Sequence, residues 1–91
     1  MQERRVVIVN RLGLHARAAA KLVRAAGEFA CGVRLERGDG GASADAKSIL
    51  SVLMLAAARG TELKVTAEGA DEERAVEAVC RLIEEGFGEE A

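Results

Sequence analysis

The chain has 91 residues and a net charge of −2, with 49% hydrophobic and 31% charged residues. These values predict one globular domain spanning residues 1–91 and argue against a disordered chain. The lack of a basic excess and the presence of only two aromatic residues argue against nucleic-acid partners, and no apolar run approaches the roughly 20 residues of a membrane span.

The first half of the chain alternates between strand and helix patterns. Residues 4–10 are short and rich in β-branched side chains, which predicts a first strand. Residues 16–26 consist mainly of good helix formers and predict a first helix, which Gly27 should end. Residues 31–36 alternate between apolar and polar side chains, as in a half-buried strand. An Asp-Gly hairpin turn at 37–41 should lead to a short strand around 41–44.

The second half continues the same alternation. Residues 47–58 are apolar nearly all round, and their length and alanine content favour a helix with Ser48 as its N-cap. Residues 62–68 give the clearest strand pattern in the chain. Asp71 should cap a last helix, which Gly86 should end. The order βαββαβα predicts an α+β fold, with three helices on one face of a four-stranded antiparallel sheet.

Several features predict a cytoplasmic protein that binds no metal and no cofactor. Residues 1–15 lack the apolar core of a signal peptide. Cys31 and Cys80 lie in apolar contexts, which favours two buried thiols over a disulfide. With a single histidine and no clustered cysteines, the chain has too few ligands for a zinc site, and we expect no metal and no cofactor.

The single imidazole lies where a loop meets the first predicted helix. His15 occupies the capping position, beside free helix amides and a positive dipole end that favour an anion. A neutral imidazole nitrogen at this position can attack phosphorus, and Arg17 is close enough to pair with the phosphate. The alternative is an ordinary surface histidine. No acidic residue in this segment can orient the ring, which argues against acid–base hydrolysis, although a distant carboxylate could still fold in.

The start of the second long helix offers another candidate site. Ser48 is either an ordinary capping serine or a regulatory phosphosite beside an apolar docking patch, because phosphate is electrostatically favourable at a helix N-terminus. Ser43 is a weaker alternative. We expect the acidic tail to be solvated charge; its members are Glu84, Glu85, Glu89 and Glu90.

Taken together, these motifs resemble those of the HPr/NPr family, the histidine phosphocarriers of the bacterial phosphoenolpyruvate-dependent phosphotransferase system. Residues 13–17 (GLHAR) match its phosphorylation motif, and residues 47–49 (KSI) match its regulatory serine segment. Residues 60–63 and 68–71 match the turns that flank its last strand. The resemblance covers essentially the whole chain and implies an HPr-like open-faced two-layer sandwich.

The resemblance implies a stoichiometric carrier, not an enzyme. His15 would accept a phosphoryl group on Nδ1 from phosphorylated enzyme I and pass it to an EIIA-type domain. Arg17 and the amides of Ala16, Arg17 and Ala18 would hold the phosphate, and Ser48 would be the site for an HPr kinase/phosphorylase. The implied partner surface on the first helix and the Ser48 helix comprises Ala16, Ala20, Arg24, Ile49, Leu50 and Leu53. We expect the carrier to be a monomer, serving either sugar transport or nitrogen regulation.

Two positions depart from the family's usual pattern. Ala18 stands where the motif usually has proline, so the chain gains an amide donor in the first helical turn. That amide is expected either to join the phosphate site or to bond the backbone region of His15. Leu12 replaces a residue that is polar in many relatives. An alternative function is a regulatory protein-binding module switched at Ser48 without any relay. A third hypothesis is a small phosphatase-like enzyme that uses His15 and Arg17.

Overall fold

A computed structural model describes residues 1–89 of the protein. Its elements are β1 (Gln2–Val7), α1 (Ala16–Gly27), β2 (Gly32–Arg37), β3 (Ser43–Asp45), α2 (Ile49–Met54), β4 (Glu62–Glu68) and α3 (Glu72–Glu84), followed by a 3₁₀ turn at Gly86–Gly88. The strands form one antiparallel sheet in the order β1-β4-β2-β3. The predicted element order and fold class are confirmed.

The core lies on one face of this sheet. Along β4 the side chains of Leu63, Val65 and Ala67 are buried, while their neighbours are exposed or half-buried. Because successive strand residues point to opposite faces, this pattern gives the sheet one apolar face, which the helices cover. The helices contribute fully buried side chains such as Leu22 and Val79. In residues 1–89 no helix has the length and apolar character to cross a membrane.

Three strands lie away from their predicted bounds, and β2 is shifted by only one residue at each end. The prediction of β1 at 4–10 was wrong, because the structure places this strand at Gln2–Val7. Its first residues are polar and exposed at the edge of the sheet, where charged side chains are tolerated, so they carry no apolar signal. The third strand begins at Ser43 instead of residue 41, because the turn before it is longer than predicted. A hydrogen bond from the N–H of Arg37 to the carbonyl of Ala42, at 3.1 Å, closes this turn.

The helix predicted over 47–58 is half the expected length. The structure has six residues, Ile49–Met54, with Ser48 at the N-cap as predicted. Ala56 adopts a φ of +50°, which ends the helix. The carbonyl of Leu55 accepts a hydrogen bond from Arg37 Nη1 at 2.9 Å, and the carbonyl of Ala57 accepts one from the N–H of Leu14 at 2.9 Å. These two hydrogen bonds hold the segment after Met54 in its non-helical conformation.

Two helix ends lie at their predicted residues but lack the predicted capping geometry. Gly27 is the last residue of α1 and does not terminate it in a left-handed conformation; the C-cap is Glu28, with a φ of −75°. Asp71 stands at the N-cap of α3, but its side chain makes no capping bond. Its carboxylate instead accepts hydrogen bonds from the N–H groups of Ala30 at 2.9 Å and Cys31 at 3.0 Å. Asp71 thus ties the start of α3 to the segment after α1.

Replacing Asp71 by asparagine should make the protein less stable at neutral pH, with a smaller effect in acid. The hydrogen bonds from Ala30 and then from Cys31 hold the pKa of the Asp71 carboxyl below its ordinary value of 3.8. A lowered folded-state pKa stabilises the fold above 3.8, and this contribution disappears as the pH falls through the folded value. Urea unfolding of both proteins across pH 2–7 measures the difference, with Glu73→Gln as the exposed control on the same helical turn. A pH-independent difference would contradict the prediction.

Candidate functional site

The centre of the candidate site is His15, at the N-cap of α1. Its backbone is extended (φ −76°, ψ 177°), and its carbonyl accepts the hydrogen bond from the N–H of Ala19 at 2.8 Å. The ring nitrogen Nδ1 accepts from the N–H of Arg17 at 3.3 Å. The side chain is 25% exposed, so it can be reached from solvent. The predicted capping position of the histidine is confirmed, and its ring faces the amides of the first helical turn.

The loop before His15 is held on both sides. The N–H of Gly13 donates to the carbonyl of Asn10 at 3.1 Å, and Nδ2 of Asn10 donates back to the carbonyl of Gly13 at 2.8 Å. Gly13 has a φ of +65°, and a Cβ atom there would lie 2.6 Å from the carbonyl oxygen of Ala57. Only glycine fits this close approach without strain. The segment after α2 therefore braces the loop that presents the imidazole.

The opposite side of the imidazole contacts a carboxylate from the far end of the chain. His15 Nε2 is hydrogen-bonded to Oε2 of Glu89, and Oε1 of Glu89 accepts from Nδ2 of Asn10 at 3.0 Å. The Glu89 side chain is 14% exposed. The expectation that the acidic tail is only solvated charge is wrong for Glu89. A carboxylate does orient the ring, although it comes from outside the local segment.

The tail reaches His15 because a short turn anchors it. Phe87 is 1% exposed and inserts into the core, and its carbonyl accepts a hydrogen bond from Lys21 Nζ at 2.6 Å. Gly86, Phe87 and Gly88 all have positive φ values, between +59° and +73°. The N–H of Glu89 donates to the carbonyl of Gly86 at 3.0 Å. Gly86 follows the end of α3 in the left-handed conformation, as predicted. Glu90 lies outside the described residues.

The electrostatics of the site favour an ionised Glu89 and an anion nearby. The hydrogen bond from Asn10, followed by the hydrogen bond and charge of His15, holds the pKa of the Glu89 carboxyl below its ordinary value. Arg17 lines a shallow cleft together with Arg11, Leu12 and Glu89. Two arginines thus line a cleft that also includes Glu89, the residue bonded to the imidazole; Arg17 was predicted and Arg11 was not.

The tautomer of the imidazole follows from its two partners. A nitrogen that accepts from an N–H must carry a lone pair, whereas a nitrogen that bonds a carboxylate must donate a proton. In the observed geometry Nδ1 accepts from Arg17 and Nε2 faces Glu89. The neutral ring therefore has its proton on Nε2 and its lone pair on Nδ1. This arrangement makes Nδ1 the available nucleophile.

The backbone N–H groups in the first turn of α1 differ in their hydrogen-bond partners. The N–H of Arg17 bonds the imidazole, and the N–H of Ala19 bonds the carbonyl of His15. Within residues 1–89, the N–H of Ala18 is not bonded to the backbone of His15, which was one of its two predicted roles. The side chain of Ala18 is completely buried. Of the remaining predicted phosphate ligands, Ala16 is exposed at the start of α1.

The residues predicted for the partner surface fall on two helices that pack together, α1 and α2. Ala16 and Arg24 are exposed, and Ala20 is half-buried. On α2, Ile49 and Leu50 are 44% and 66% exposed. Leu53 is half-buried and packs against the core. Leu12 and Met54 are also apolar and largely exposed, although neither was included in the predicted partner surface.

Ser48 acts as a helix cap in this structure. Its Oγ accepts a hydrogen bond from the N–H of Ser51 at 3.4 Å, and its side chain is half-buried. The capping interpretation is therefore confirmed. The phosphosite interpretation is compatible with the same geometry, since the hydroxyl lies directly before the exposed Ile49 and Leu50.

Comparison with known proteins identifies the family. The family model described as "PTS HPr component phosphorylation site" matches residues 2–85. The chain belongs to the HPr family. It is 46% identical over 89 residues to phosphocarrier protein HPr of Cupriavidus necator, and the match covers 98% of each chain. It is 43% identical over 89 residues to phosphocarrier protein NPr of Proteus mirabilis, again with 98% coverage of both.

Solved structures agree with this assignment. The crystal structure of HPr-C-His from Thermoanaerobacter tengcongensis superposes with a TM-score of 0.93 at 41% identity, and the match covers 100% of both chains. The protein is thus a phosphocarrier of the HPr/NPr type and a component of the phosphotransferase system, where it works with other proteins of that system. Family membership supports a carrier over an enzyme. The sequence resemblance to HPr is confirmed.

Two functional candidates, Asn10 and Glu89, were missed by the sequence analysis. Asn10 was assigned to the end of the first strand, yet it is 3% exposed and bonds both the Gly13 loop and the Glu89 carboxylate. Glu89 was grouped with other exposed acids of the tail. The detectable signal was the apolar Phe87 between two glycines, because a buried aromatic after a helix end brings the following residues back to the core.

Proposed function

We propose that the protein carries a phosphoryl group on Nδ1 of His15, received from phosphorylated enzyme I and passed to an EIIA-type domain. The observation that carries this proposal is the orientation of the ring, with the lone pair of Nδ1 toward the helix N-terminus and Nε2 engaged by Glu89. Helix amides and the positive end of the dipole favour an anion at this position. The family model, which is described as a phosphorylation site, supports the same proposal.

The chemistry is a transfer between nucleophiles. The Nδ1 lone pair forms the new P–N bond while the bond from phosphorus to the donor breaks, and its electron pair returns to the donor. Bonding at Nδ1 removes the acceptor for the Arg17 N–H, so that amide becomes available to a phosphate oxygen. We assign the amides of Ala16, Arg17 and Ala18, together with the Arg17 guanidinium, to this phosphate. Passing the group to the EIIA-type domain repeats the exchange in the other direction.

The docking surface for both partners is proposed to be the exposed part of α1 and α2. It combines apolar side chains on α2 (Ile49, Leu50 and Leu53) with Ala16, Ala20 and Arg24 on α1. Isolated exposed apolar residues are common, but three on a helix as short as α2 (Ile49, Leu50 and Met54) favour an interaction site. A surface shared by the donor and the acceptor lets a monomeric carrier exchange one partner for the other.

Transfer from phosphoenolpyruvate tests the proposal. Incubation with phosphoenolpyruvate and a cognate enzyme I should give an acid-labile adduct of about +80 Da, the mass of one phosphoryl group. Peptide mapping under alkaline conditions should locate the adduct on His15. The absence of an adduct, or its location elsewhere, would contradict the proposal.

Phosphorylation at Ser48 is proposed to regulate docking. A phosphate adds a charge of about −2 at neutral pH, beside the exposed apolar side chains of Ile49 and Leu50. Ser48→Asp should therefore weaken enzyme I binding, while Ser48→Asn, which keeps a capping side chain, should bind normally. Titration calorimetry measures both affinities, and an HPr kinase/phosphorylase with ATP should modify the parent chain but not Ser48→Asn. Equal affinities for the two variants would contradict regulation by charge.

A further inference from the structure

We propose that Glu89, held by Asn10, is a positioning residue for phosphoryl transfer at His15. Its carboxylate selects the tautomer that leaves the lone pair on Nδ1 and keeps a proton on Nε2 while the ring accepts and releases the group. This inference rests on the proposed function of His15. Glu89 lies 74 residues after His15 in the sequence.

The contact is built by the fold and does not depend on a free tail. Phe87, two residues before Glu89, is 1% exposed, and its carbonyl is bonded to Lys21 of α1. The N–H of Glu89 closes the turn on the carbonyl of Gly86. With its backbone anchored on both sides of Gly88, Glu89 has little freedom to place its carboxylate elsewhere. The conformational entropy lost in ordering Glu89 is therefore largely offset by the packing of Phe87 in the core.

Both oxygens of the Glu89 carboxylate are engaged. Oε2 bonds His15 Nε2, and Oε1 accepts from Nδ2 of Asn10 at 3.0 Å. The same Nδ2 also donates to the carbonyl of Gly13 at 2.8 Å, so two acceptors determine the orientation of the amide. Asn10 is 3% exposed. One buried amide thus connects the loop that presents His15 to the carboxylate that orients it.

The proton on Nε2 matters in both directions of transfer. When Nδ1 bonds to phosphorus, the ring becomes a cation that retains the Nε2 proton, and the adjacent Glu89 carboxylate offsets that charge. When the P–N bond breaks, its electron pair returns to Nδ1 and the ring leaves as neutral imidazole. Without the Nε2 proton it would leave as an imidazolate anion, which is a far poorer leaving group. Glu89 neither bonds to phosphorus nor takes the proton permanently.

The test compares Glu89→Ala, Glu89→Gln and the matched control Glu85→Gln, which changes an exposed acid of the same terminal segment. Nitrogen-15 NMR of the His15 ring reports the tautomer, and rapid-quench transfer from phosphorylated enzyme I reports the rate. Glu89→Ala should give a mixture of tautomers and slow transfer about 10-fold to 100-fold, the range found when the carboxylate partner of a metal-bound histidine is removed. Glu89→Gln keeps an acceptor oxygen and should recover the tautomer but only part of the rate.

The outcomes separate this inference from the function of His15. If Glu89→Ala retains the parent tautomer, or changes the tautomer without slowing transfer, the positioning role is overturned. If the parent chain accepts no phosphoryl group, the proposed function fails, and the inference fails with it even when the NMR spectra show that Glu89 orients the ring. A rate loss in Glu85→Gln equal to that in Glu89→Ala would also overturn the inference, because it would reflect the net charge of the tail and not the contact.

Discussion

Replacing His15 by alanine should abolish phosphoryl transfer from phosphorylated enzyme I, with no detectable adduct after prolonged incubation. His15 is the only histidine of the chain, and its Nδ1 is the ring nitrogen that accepts from an amide at the start of α1. No neighbouring hydroxyl or thiol can replace it locally, since residues 13–18 contain none. Mass spectrometry under alkaline conditions, where a phosphoramidate survives, measures the loss.

His15→Asn is the matched control for helix capping. Histidine caps α1 by accepting from the N–H of Arg17, and losing a cap costs about 0.5–2 kcal/mol. Asparagine is a strong N-cap residue, so His15→Asn should retain the stability of the parent while accepting no phosphoryl group. An acid-labile adduct in either variant would show that the phosphoryl group is carried on a residue other than His15.

Replacing Phe87 by alanine should destabilise the protein by about 3–5 kcal/mol, the usual cost of removing a fully buried phenylalanine. The ring is 1% exposed and follows the end of α3. Its loss should also release the turn that carries Glu89 to His15, so transfer should slow as it does in Glu89→Ala. Urea unfolding gives the free energy, and the quench assay gives the rate at a temperature where the variant is folded.

Phe29→Ala provides the comparison, because it removes the other phenylalanine of the chain. Phe29 is only half-buried and stacks with the guanidinium of Arg74, whose carbon lies 5.9 Å from the ring centre. Its truncation should cost less stability and leave the tautomer of His15 unchanged. A loss of less than about 1 kcal/mol in Phe87→Ala would show that the terminal turn is not anchored by the core.

The parts of the site that lie close together in the sequence could be predicted from it. His15, Arg17 and the first-turn amides fall within one helical turn, so a helix starting at Ala16 brings them together automatically. The same holds for Ser48, which caps α2 as expected. Both predictions depend on short-range geometry. The proposed partner surface on α1 and α2 came instead from the family resemblance.

The parts of the site that depend on distant segments could not be predicted in this way. Asn10 was assigned to a strand because its neighbours are β-branched, yet the strand ends at Val7 and the asparagine turns toward Gly13 and Glu89. The second helix stops at Met54, where the predicted pattern continues to Ala58. Its alanines favour a helix. However, Ala56 adopts a φ of +50°, and the carbonyl of Ala57 accepts a hydrogen bond from the N–H of Leu14.

The composition of the chain indicated a small acidic domain with protein partners. Its single histidine is the residue on which the proposed function depends. The sequence alone determined the α+β order of elements, the apolar face of the sheet and the position of His15 at a helix start, because periodicity and capping are local. Only the tertiary structure decided which groups surround the imidazole. The Glu89 carboxylate and the Ala57 carbonyl reach the His15 loop from distant segments of the chain, and no local pattern encodes such contacts.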